Sequence, residues 1–376
     1  MKICFIVGSY PPEKCGIGDY TKLLAQELKG NYVDEIHVIT SSCGDYLKGE
    51  LRCGDITVHA LVEQWNFKAL NIIKETIKSI EPDIIHFQFP SDKYGKSFFI
   101  NLLPSILKRN FSVKIVETVH EYVNYSYKGK LKNLINYRAA DSILVVEERY
   151  IEDIKAFAKT FSKKLSIKYI PISSNIPKTV LSKEELKSIK LSYCKEDTFL
   201  ISFFGFINEL KGLEVLLEAL KQLSVAGDNV KLLCLAALDY ENNQYHNKLY
   251  KLVKDYGIED KVIFSGFIKE PETVANLIAA SDLCVLPFNA GVSERNGSFL
   301  AALNQGVNTI TTSKEKKGFE KEQGVYYIPC EASEELVKAI KYFLANKVEG
   351  KQNSMMTWEE IAKAHFKVYE DLLLKK

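Results

Sequence analysis

The segment FLISFFGFINELKGLEVLLEAL, residues 199–220, decides the fold class because it passes from a strand through a glycine loop into a helix. Residues 199–204 form a short apolar run that favours a β-strand, and Gly205 begins a loop that Gly212 closes. Leucines at helical spacing follow the loop: Leu213, Leu216, Leu217 and Leu220. Lys211 thus stands directly before a helix N-terminus, whose free N–H groups and dipole favour an anion. The segment predicts a phosphate site, although an ordinary turn with a surface lysine explains the same residues.

Short apolar strands alternate with amphipathic helices along nearly the whole chain, which is typical of parallel sheets covered by helices. In the first half the pattern predicts strands at residues 2–7, 35–40, 83–88, 113–118, 142–146 and 167–170. It predicts helices there at residues 20–28, 67–79, 97–108, 130–139 and 150–161. In the second half it predicts strands at residues 199–204, 231–236, 262–265, 283–286, 309–312 and 325–328. We therefore expect an α/β protein with two doubly wound parallel sheets.

A polar segment flanked by prolines at residues 171–177, followed by a charged stretch to Asp197, separates the two halves. This composition is typical of a domain boundary, and 376 residues suit two domains that each bury a core. Ligands of open parallel sheets lie beyond the carboxyl ends of the strands. Two such sheets facing one another would form a cleft lined by the loops that follow the strands.

Composition excludes several classes of protein. The chain is 46% hydrophobic and 26% charged with a formal net charge of +2, so neither disorder nor nucleic-acid binding is indicated. Its eight cysteines show no C-x-x-C spacing and are interpreted as reduced thiols. The chain opens on a strand-like run, and no apolar stretch approaches the roughly 18 residues of a membrane span. The sequence therefore predicts a cytoplasmic protein.

Charge is unevenly distributed. Residues 93–138 carry nine Lys and Arg but only two acidic residues, Glu117 and Glu121. A basic segment of this kind suits peripheral contact with the inner membrane surface or with an acidic acceptor. A solvated face in a lysine-rich protein explains it equally well.

The first glycine loop contains Gly16 and Gly18 just before a predicted helix. It resembles a dinucleotide-binding fingerprint poorly, because Thr21 occupies the third glycine position and the glycines lie far from the strand. No Walker pattern occurs either, since Lys211 precedes its glycine. Two glycines at a helix start allow close approach of a ligand, and an ordinary flexible turn is the alternative.

His120 follows the strand predicted at 113–118, with Glu121 beside it. At the carboxyl end of a strand, this histidine suits a contact with a substrate hydroxyl and a purely structural role about equally well. The six histidines have no metal-binding spacing, so we expect no metal.

The loop after the strand at 283–286 leads into a second helix start at Gly297 and Ser298, preceded by Glu294 and Arg295. Together with Lys211, Arg295 and two helix N-termini would neutralise a diphosphate. The alternative is a capped surface helix with solvated charges.

The order of these segments resembles the retaining GT-B glycosyltransferases of family 4, and the resemblance covers almost the full chain. Its motifs are PPEKCGIGDYT (11–21), DIIHFQFP (83–90), TVHE (118–121), IPISSNIP (170–177), FFGFINELKGLEVLLEAL (203–220), SGFIKEPETVANLIAASDLCVLPF (265–288) and ERNGSFLAALNQGVNTITT (294–312). The resemblance implies two Rossmann-like domains at residues 1–178 and 179–354, facing across a cleft. It implies that a C-terminal helix within residues 355–376 crosses back onto the first domain.

Two departures from the family pattern stand out. Phe206 replaces the arginine that usually follows the glycine matching Gly205, and Ala301 replaces the second of two glutamates eight positions apart. Ser293 stands at the position of the first glutamate, with Glu294 one residue away. Arg295 before Gly-Ser resembles a branch of the family in which this arginine supplies the missing charge.

The resemblance implies transfer of a sugar from a nucleoside-diphosphate sugar to a hydroxyl of a glycan or lipid-linked acceptor, as in cell-surface glycan or glycolipid assembly. Lys211, Arg295 and the amides near Gly297 and Ser298 would stabilise the leaving diphosphate, and His120 would contact the sugar. The remaining donor-site residues it implies are Gly16, Gly18, Gly205, Phe267, Ile268 and Glu294, with the base near Phe267 and Ile268. No metal or further cofactor is expected. Two alternatives remain, a degenerate protein that binds a nucleotide or a partner without turnover and a GT-B-like sugar epimerase.

Overall fold

The structure, a computed structural model, describes residues 1–13, 15–43, 49–95, 97–123, 125–159, 165–346, 348–353 and 355–374. The chain divides into two compact units. Unit 1 comprises Met1–Ser173 and Met356–Lys376, and unit 2 comprises Ser174–Met355. Among the helices of the described ranges, none combines the length and the apolar character needed to cross a membrane.

Unit 1 is built on a sheet that has eight strands in its described residues. They are β1 (Lys2–Ile6), β2 (Glu35–Ser41), β3 (Gly49–Cys53), β4 (Ile56–Val62), β5 (Ile84–Phe89), β6 (Lys114–Val119), β7 (Ser142–Val145) and β8 (Ile167–Tyr169). Their order is β3-β4-β2-β1-β5-β6-β7-β8, with only the pair β3 and β4 antiparallel. The chain winds outward from β1 in one direction and from β5 in the other, so the sheet is doubly wound.

Helices cover this sheet on both faces. The first five are α1 (Gly16–Asn31), α2 (Leu70–Ile80), α3 (Phe99–Asn110), α4 (Tyr127–Ala139) and α5 (Arg149–Lys159). Most of them bury an apolar stripe; α2, for example, buries Ile73, Ile77 and Ile80 at helical spacing. α4 differs, because it buries Asn133 and Asn136. The final two residues of the helix predicted at 150–161 lie outside the described residues.

Unit 2 is a second doubly wound sheet with seven strands in the described chain. They are β9 (Phe199–Phe204), β10 (Val230–Leu235), β11 (Val262–Phe264), β12 (Leu283–Leu286), β13 (Thr309–Thr312), β14 (Gly318–Glu320) and β15 (Val325–Ile328), in the order β11-β10-β9-β12-β13-β15-β14. Its helices are α6 (Lys183–Leu191), α7 (Leu213–Val225), α8 (Gln244–Asp255), α9 (Pro271–Ala279), α10 (Gly297–Gln305) and α11 (Ser333–Ala345). The predicted leucine stripe of α7 is fully buried.

The last helix, α12 (Trp358–Leu374), returns to the core of unit 1, where it packs on α1. Buried hydrogen bonds accompany the packing: Tyr369 Oη lies 2.7 Å from His86 Nδ1, and Tyr20 Oη lies 3.2 Å from His365 Nε2. His365 Nδ1–H donates to the Ile361 carbonyl, so Nε2 is the acceptor of the neutral ring. Burial lowers the pKa of His365 to about 4, which keeps that tautomer neutral.

The twelve predicted strands agree with the observed ones to within one residue at each end. Three strands were not predicted: β3, β4 and β14. In β4 the alternation of buried Ile56, Val58, Ala60 and Val62 was readable in the sequence. β3 and β14 are short antiparallel edge strands without a buried alternating face, so they carried no comparable pattern.

The cysteines are all free within the described structure. Cys4, Cys234 and Cys284 are core residues, and burial raises the pKa of the Cys284 thiol to about 12. Cys53, in contrast, is exposed on β3. The buried thiols act as small apolar side chains.

Candidate functional site

The loop that carries Lys211 is shaped by two glycines in left-handed conformations. Gly205 (φ 135°) ends β9 and Gly212 (φ 65°) begins α7, with a 3-10 turn at Glu209–Lys211 between them. A Cβ on Gly212 would lie 2.0 Å from the Pro287 carbonyl oxygen. No other residue fits there, and the loop therefore lies directly on the segment that follows β12.

Asn289 fastens the two loops of unit 2 together. Its backbone N–H donates to the Leu210 carbonyl over 3.0 Å, and its side-chain amide donates to the Glu209 carbonyl over 2.6 Å. Both carbonyls belong to the turn that presents Lys211. Asn289 thus holds the backbone directly before Lys211, and the packing of Gly212 on Pro287 holds it directly after.

The N-terminus of α10 lies beside the lysine. Its N-cap residue, Asn296, makes no side-chain cap hydrogen bond; the amide oxygen instead accepts from the backbone N–H and the hydroxyl of Ser293, over 2.6 and 3.1 Å. The first turn of α10 therefore keeps its N–H donors uncapped by Asn296, at the positive end of the helix dipole.

Lys211 and α10 meet at Ser298. Lys211 Nζ lies 3.5 Å from the buried Ser298 Oγ and 4.8 Å from the centre of the Phe288 ring. A Cβ on Gly205 would lie 3.6 Å from the same hydroxyl, so the backbone after β9 approaches this point closely. Burial lowers the pKa of Lys211 below the usual 10.5 because desolvation disfavours the ammonium. A bound anion would reverse that effect.

The structure explains the departure at Ala301. This residue is fully buried within α10, where a carboxylate would have to be desolvated. The hydroxyl of Ser293, at the position of the first glutamate, donates to the Asn296 side-chain oxygen. It therefore does not take over the role of a carboxylate. Glu294 is exposed and Arg295 is half-buried in the turn before α10, and each makes an interaction of its own.

Exposed aromatic side chains follow two strands of unit 2. Phe206 is 62% exposed after β9, and Phe267 is 57% exposed after β11. Ile268 next to Phe267 is half-buried and packs on the core of unit 2. An exposed phenyl group where the family has an arginine can stack on a planar group but cannot neutralise a phosphate.

In unit 1, His120 follows β6 and is almost fully buried. Its Nε2–H donates to Gln88 Oε1 over 2.7 Å, and its backbone N–H donates to the Phe89 carbonyl. The rings of His120 and Tyr20 are nearly perpendicular, with centroids 4.7 Å apart. Gln88 was not singled out in the sequence, although a polar residue inside an otherwise apolar strand indicates a specific partner.

The two glycines of the first loop differ. A Cβ on Gly18 would lie 2.7 Å from the Ser9 carbonyl oxygen, whereas a Cβ on Gly16 would meet nothing within 4 Å. Close packing within unit 1 therefore accounts for Gly18. Gly16 is exposed at the first residue of α1, four residues earlier than the predicted helix start.

Sequence reasoning also missed His246 on α8. Its Nδ1 accepts from the Asp239 N–H over 2.9 Å, so Nε2 carries the proton and donates to the Ile207 carbonyl over 3.0 Å. This histidine joins the loop after β10 to the loop that carries Lys211. Across the described ranges, no three His, Cys, Asp or Glu side chains form a metal-binding group.

Comparison with known proteins agrees with this architecture. Residues 198–346 match the family described as "Glycosyl transferases group 1". The chain is 23% identical over 329 residues to the alpha-monoglucosyldiacylglycerol synthase of Streptococcus pneumoniae, covering 82% of this chain and 70% of that protein.

Several solved structures resemble the whole chain. The sucrose-phosphate synthase of Thermosynechococcus elongatus superposes with a TM-score of 0.77 at 16% identity and 100% coverage of both chains. HepE of Anabaena, solved in complex with UDP and glucose, superposes with a TM-score of 0.67 at 16% identity, covering 100% of this chain and 96% of HepE. The solved structures confirm the two-domain GT-B fold. Residues 198–346, within unit 2, resemble the group 1 glycosyl transferases.

Proposed function

We propose that the protein transfers a sugar from a nucleoside-diphosphate sugar to a hydroxyl acceptor, with retention at the anomeric carbon. The observation that carries the proposal is the contact of Lys211 with Ser298 at the N-terminus of α10. A partly desolvated ammonium and a row of helix N–H groups together suit a diphosphate far better than either does alone.

The main task in such a transfer is to stabilise the leaving diphosphate. Negative charge grows on the departing oxygen as the bond to the sugar breaks. Gly212 and Asn289 fix the backbone around Lys211, whose ammonium can stabilise that charge. A preorganised donor at a partly desolvated position stabilises that charge more than a solvated one would. This supports electrostatic catalysis by the residues of unit 2.

A second positive charge is assigned to Arg295, since Phe206 cannot supply it. We expect that Lys211, Arg295 and the α10 N-terminus suffice to neutralise the diphosphate, so that transfer proceeds without an added metal ion. Transfer assayed with and without EDTA tests this expectation.

The remaining assignments follow the family resemblance. They are the base near Phe267 and Ile268, further donor contacts at Gly205, Glu294 and Gly297, and contact of His120 with the sugar. Close approach of the ligand is assigned to Gly16, because Gly18 is packed against the Ser9 carbonyl. HepE in complex with UDP and glucose supports a uridine nucleotide as the first donor to try. The named product of the S. pneumoniae relative supports a lipid-linked hydroxyl acceptor in glycolipid assembly.

The central prediction concerns Lys211→Ala. Removing one donor to a leaving group typically lowers kcat about 10²–10³-fold, and we expect a loss of that size in UDP-glucose turnover. Release of UDP with and without diacylglycerol acceptor measures it. Lys221→Ala is the matched control, because its ammonium lies over a ring in the same way, 4.4 Å from that of Tyr256. Equal activity of the two variants would refute the proposal.

A second candidate is a protein that binds the nucleotide without turnover. The exposed Phe206 and the buried Ala301, both at positions where the family has charged residues, favour it. Calorimetry with UDP combined with the turnover assay separates the two functions. UDP binding that depends on Lys211, with no transfer to any acceptor, would support the second.

A further inference from the structure

Unit 1 exposes a group of large apolar side chains around the starts of α3 and α4. Phe67 and Tyr127 are 58% and 68% exposed, and three others are about two-fifths exposed: Phe98, Val123 and Leu131. Four lysines are interleaved with them in sequence: Lys68, Lys128, Lys130 and Lys132. We call these nine residues the aromatic–lysine surface.

Contacts across three elements link parts of this surface. The Lys132 ammonium on α4 lies 5.8 Å from the Phe98 ring at the start of α3. Phe99, the next residue, contacts the Phe67 ring with centroids 5.3 Å apart. On α4 itself, Tyr127 and Leu131 are one helical turn apart, and both are exposed.

The charge on this surface is more one-sided than the sequence indicated. Of the two acidic residues within 93–138, Glu117 is fully buried and Glu121 is half-buried. Lys108 is paired with Asp141 and Lys93 with Glu13, whereas Lys128, Lys130 and Lys132 have no acidic partner among the described residues. These three lysines of α4 therefore carry charge that no described acidic group neutralises, and Lys132 lies over the exposed Phe98 ring.

The lysine heads also have the geometry of an interface. Lys130 Nζ lies 4.7 Å from the centre of the Tyr122 ring, and Lys132 lies over Phe98 in a similar way. Both side chains thus extend along apolar surface, as lysines do at membrane interfaces. In an interfacial membrane contact, aromatic rings insert at the depth of the headgroups and neighbouring lysines bind lipid phosphates.

We propose that the aromatic–lysine surface docks unit 1 onto an anionic lipid bilayer. The aromatic side chains enter the boundary between headgroups and acyl chains, and Lys128, Lys130 and Lys132 bind the lipid phosphates. Charge complementarity decides for a lipid surface over an apolar protein partner, since an uncompensated lysine cluster would have to be desolvated in a protein interface. The proposal does not depend on the transferase activity.

Co-sedimentation of the full chain with vesicles tests the charge component. Binding to vesicles of phosphatidylglycerol and phosphatidylcholine is expected, with little binding to pure phosphatidylcholine. Each lysine near an anionic surface contributes about fivefold, so the triple variant Lys128→Gln, Lys130→Gln, Lys132→Gln should weaken the partition coefficient about 100-fold. The matched control carries Lys248→Gln, Lys251→Gln and Lys254→Gln on α8, and should bind like the unmodified protein.

The aromatic component needs its own variant. Phe98→Ser with Tyr127→Ser should lower binding at least tenfold even at high salt, where the lysine component is screened. Val180→Ser, at a residue that is 96% exposed in unit 2, is the control. Melting temperatures within about 2 °C of the unmodified protein would show that the variants fold.

Three outcomes would overturn the proposal. These are equal binding to both kinds of vesicle, no binding to either, and equal loss in the α8 control. Binding to heparin without binding to either kind of vesicle would assign the surface to a soluble polyanion instead. None of these readouts uses donor or turnover, so they leave the proposed transferase function untouched.

Discussion

At the scale of single residues, the least expected feature is a carboxyl group inside unit 1. Glu117 on β6 has no exposed surface, and burial raises its pKa to about 8, against a smaller lowering by the Asn136 side chain. Desolvation disfavours the carboxylate more strongly than a neutral carboxyl group. Glu117 is therefore largely protonated at neutral pH.

This residue predicts a pH-dependent stability. Glu117 ionises above pH 4.5 in the unfolded chain and only above about pH 8 in the folded chain. The free energy of unfolding is therefore higher at low pH, and this gain is lost as the pH rises. Glu117→Gln, which keeps the neutral shape, should raise the unfolding free energy by about 3 kcal/mol at pH 7 and leave it unchanged near pH 4.5. Urea denaturation at both pH values measures it.

Glu121→Gln on the half-buried neighbour is the control, with an expected change below about 0.5 kcal/mol. A Glu117→Gln variant that is less stable at pH 7, or stabilised equally at both pH values, would contradict the assignment.

At the scale of elements, the loop between β9 and α7 is held at both ends. His246 on α8 binds the Ile207 carbonyl near its start, and Asn289 binds Glu209 and Leu210 near its end. The ammonium of Lys211 lies just after these anchors. We expect both side chains to act as positioning residues whose effect passes through Lys211.

A double-mutant cycle tests this role. His246→Phe removes both hydrogen bonds of the ring and should lower kcat/KM about tenfold in the unmodified protein. In the Lys211→Ala background the same substitution should have little further effect. His246→Gln keeps a donor for the Ile207 carbonyl and should restore part of the activity. Additive losses in the two backgrounds would show that His246 does not act through Lys211.

Individual strands could be predicted from the sequence more accurately than the contacts between elements. Parallel strands buried on both faces are continuous apolar runs, so β1, β9 and β12 could be read without knowing their neighbours. The edge strands β3 and β14 owe their conformation to pairing with β4 and β15, and that pairing leaves little trace in three to five residues. The observed helix starts differ from the predicted ones by a few residues, because residues at helix ends are held by local contacts such as that of Gly18 with Ser9.

At the scale of the whole molecule, unit 1 is assembled from two distant parts of the chain. The helix α12 inserts Ile361, Val368 and Tyr369 into the core that α1 and the sheet leave open. Without this helix, His86 would lose its hydrogen-bond partner Tyr369. Tyr20 would likewise lose its partner His365. Unit 2, in contrast, is one continuous segment.

Deletion of residues 357–376 should therefore unfold unit 1 and spare unit 2. Removing three large buried side chains costs at least about 5 kcal/mol, which is comparable to the stability of a typical domain. Hydrogen exchange should show loss of protection in β1 and β5 and retained protection in β9 and β12. Leu374→Ser, at an exposed position of α12, is the control. Unchanged protection of β1 in the deletion variant would contradict this account.

The sequence by itself determined two doubly wound sheets, the order of their strands along the chain and the loops that bear Lys211, His120 and Ser298. These properties depend on neighbouring residues, because a strand, its loop and its helix are contiguous. Tertiary structure alone decided which groups meet: Lys211 with Ser298, His120 with Gln88 and His246 with Ile207. Such pairs are set by the packing of whole elements, so no spacing between two residues in the chain could reveal them.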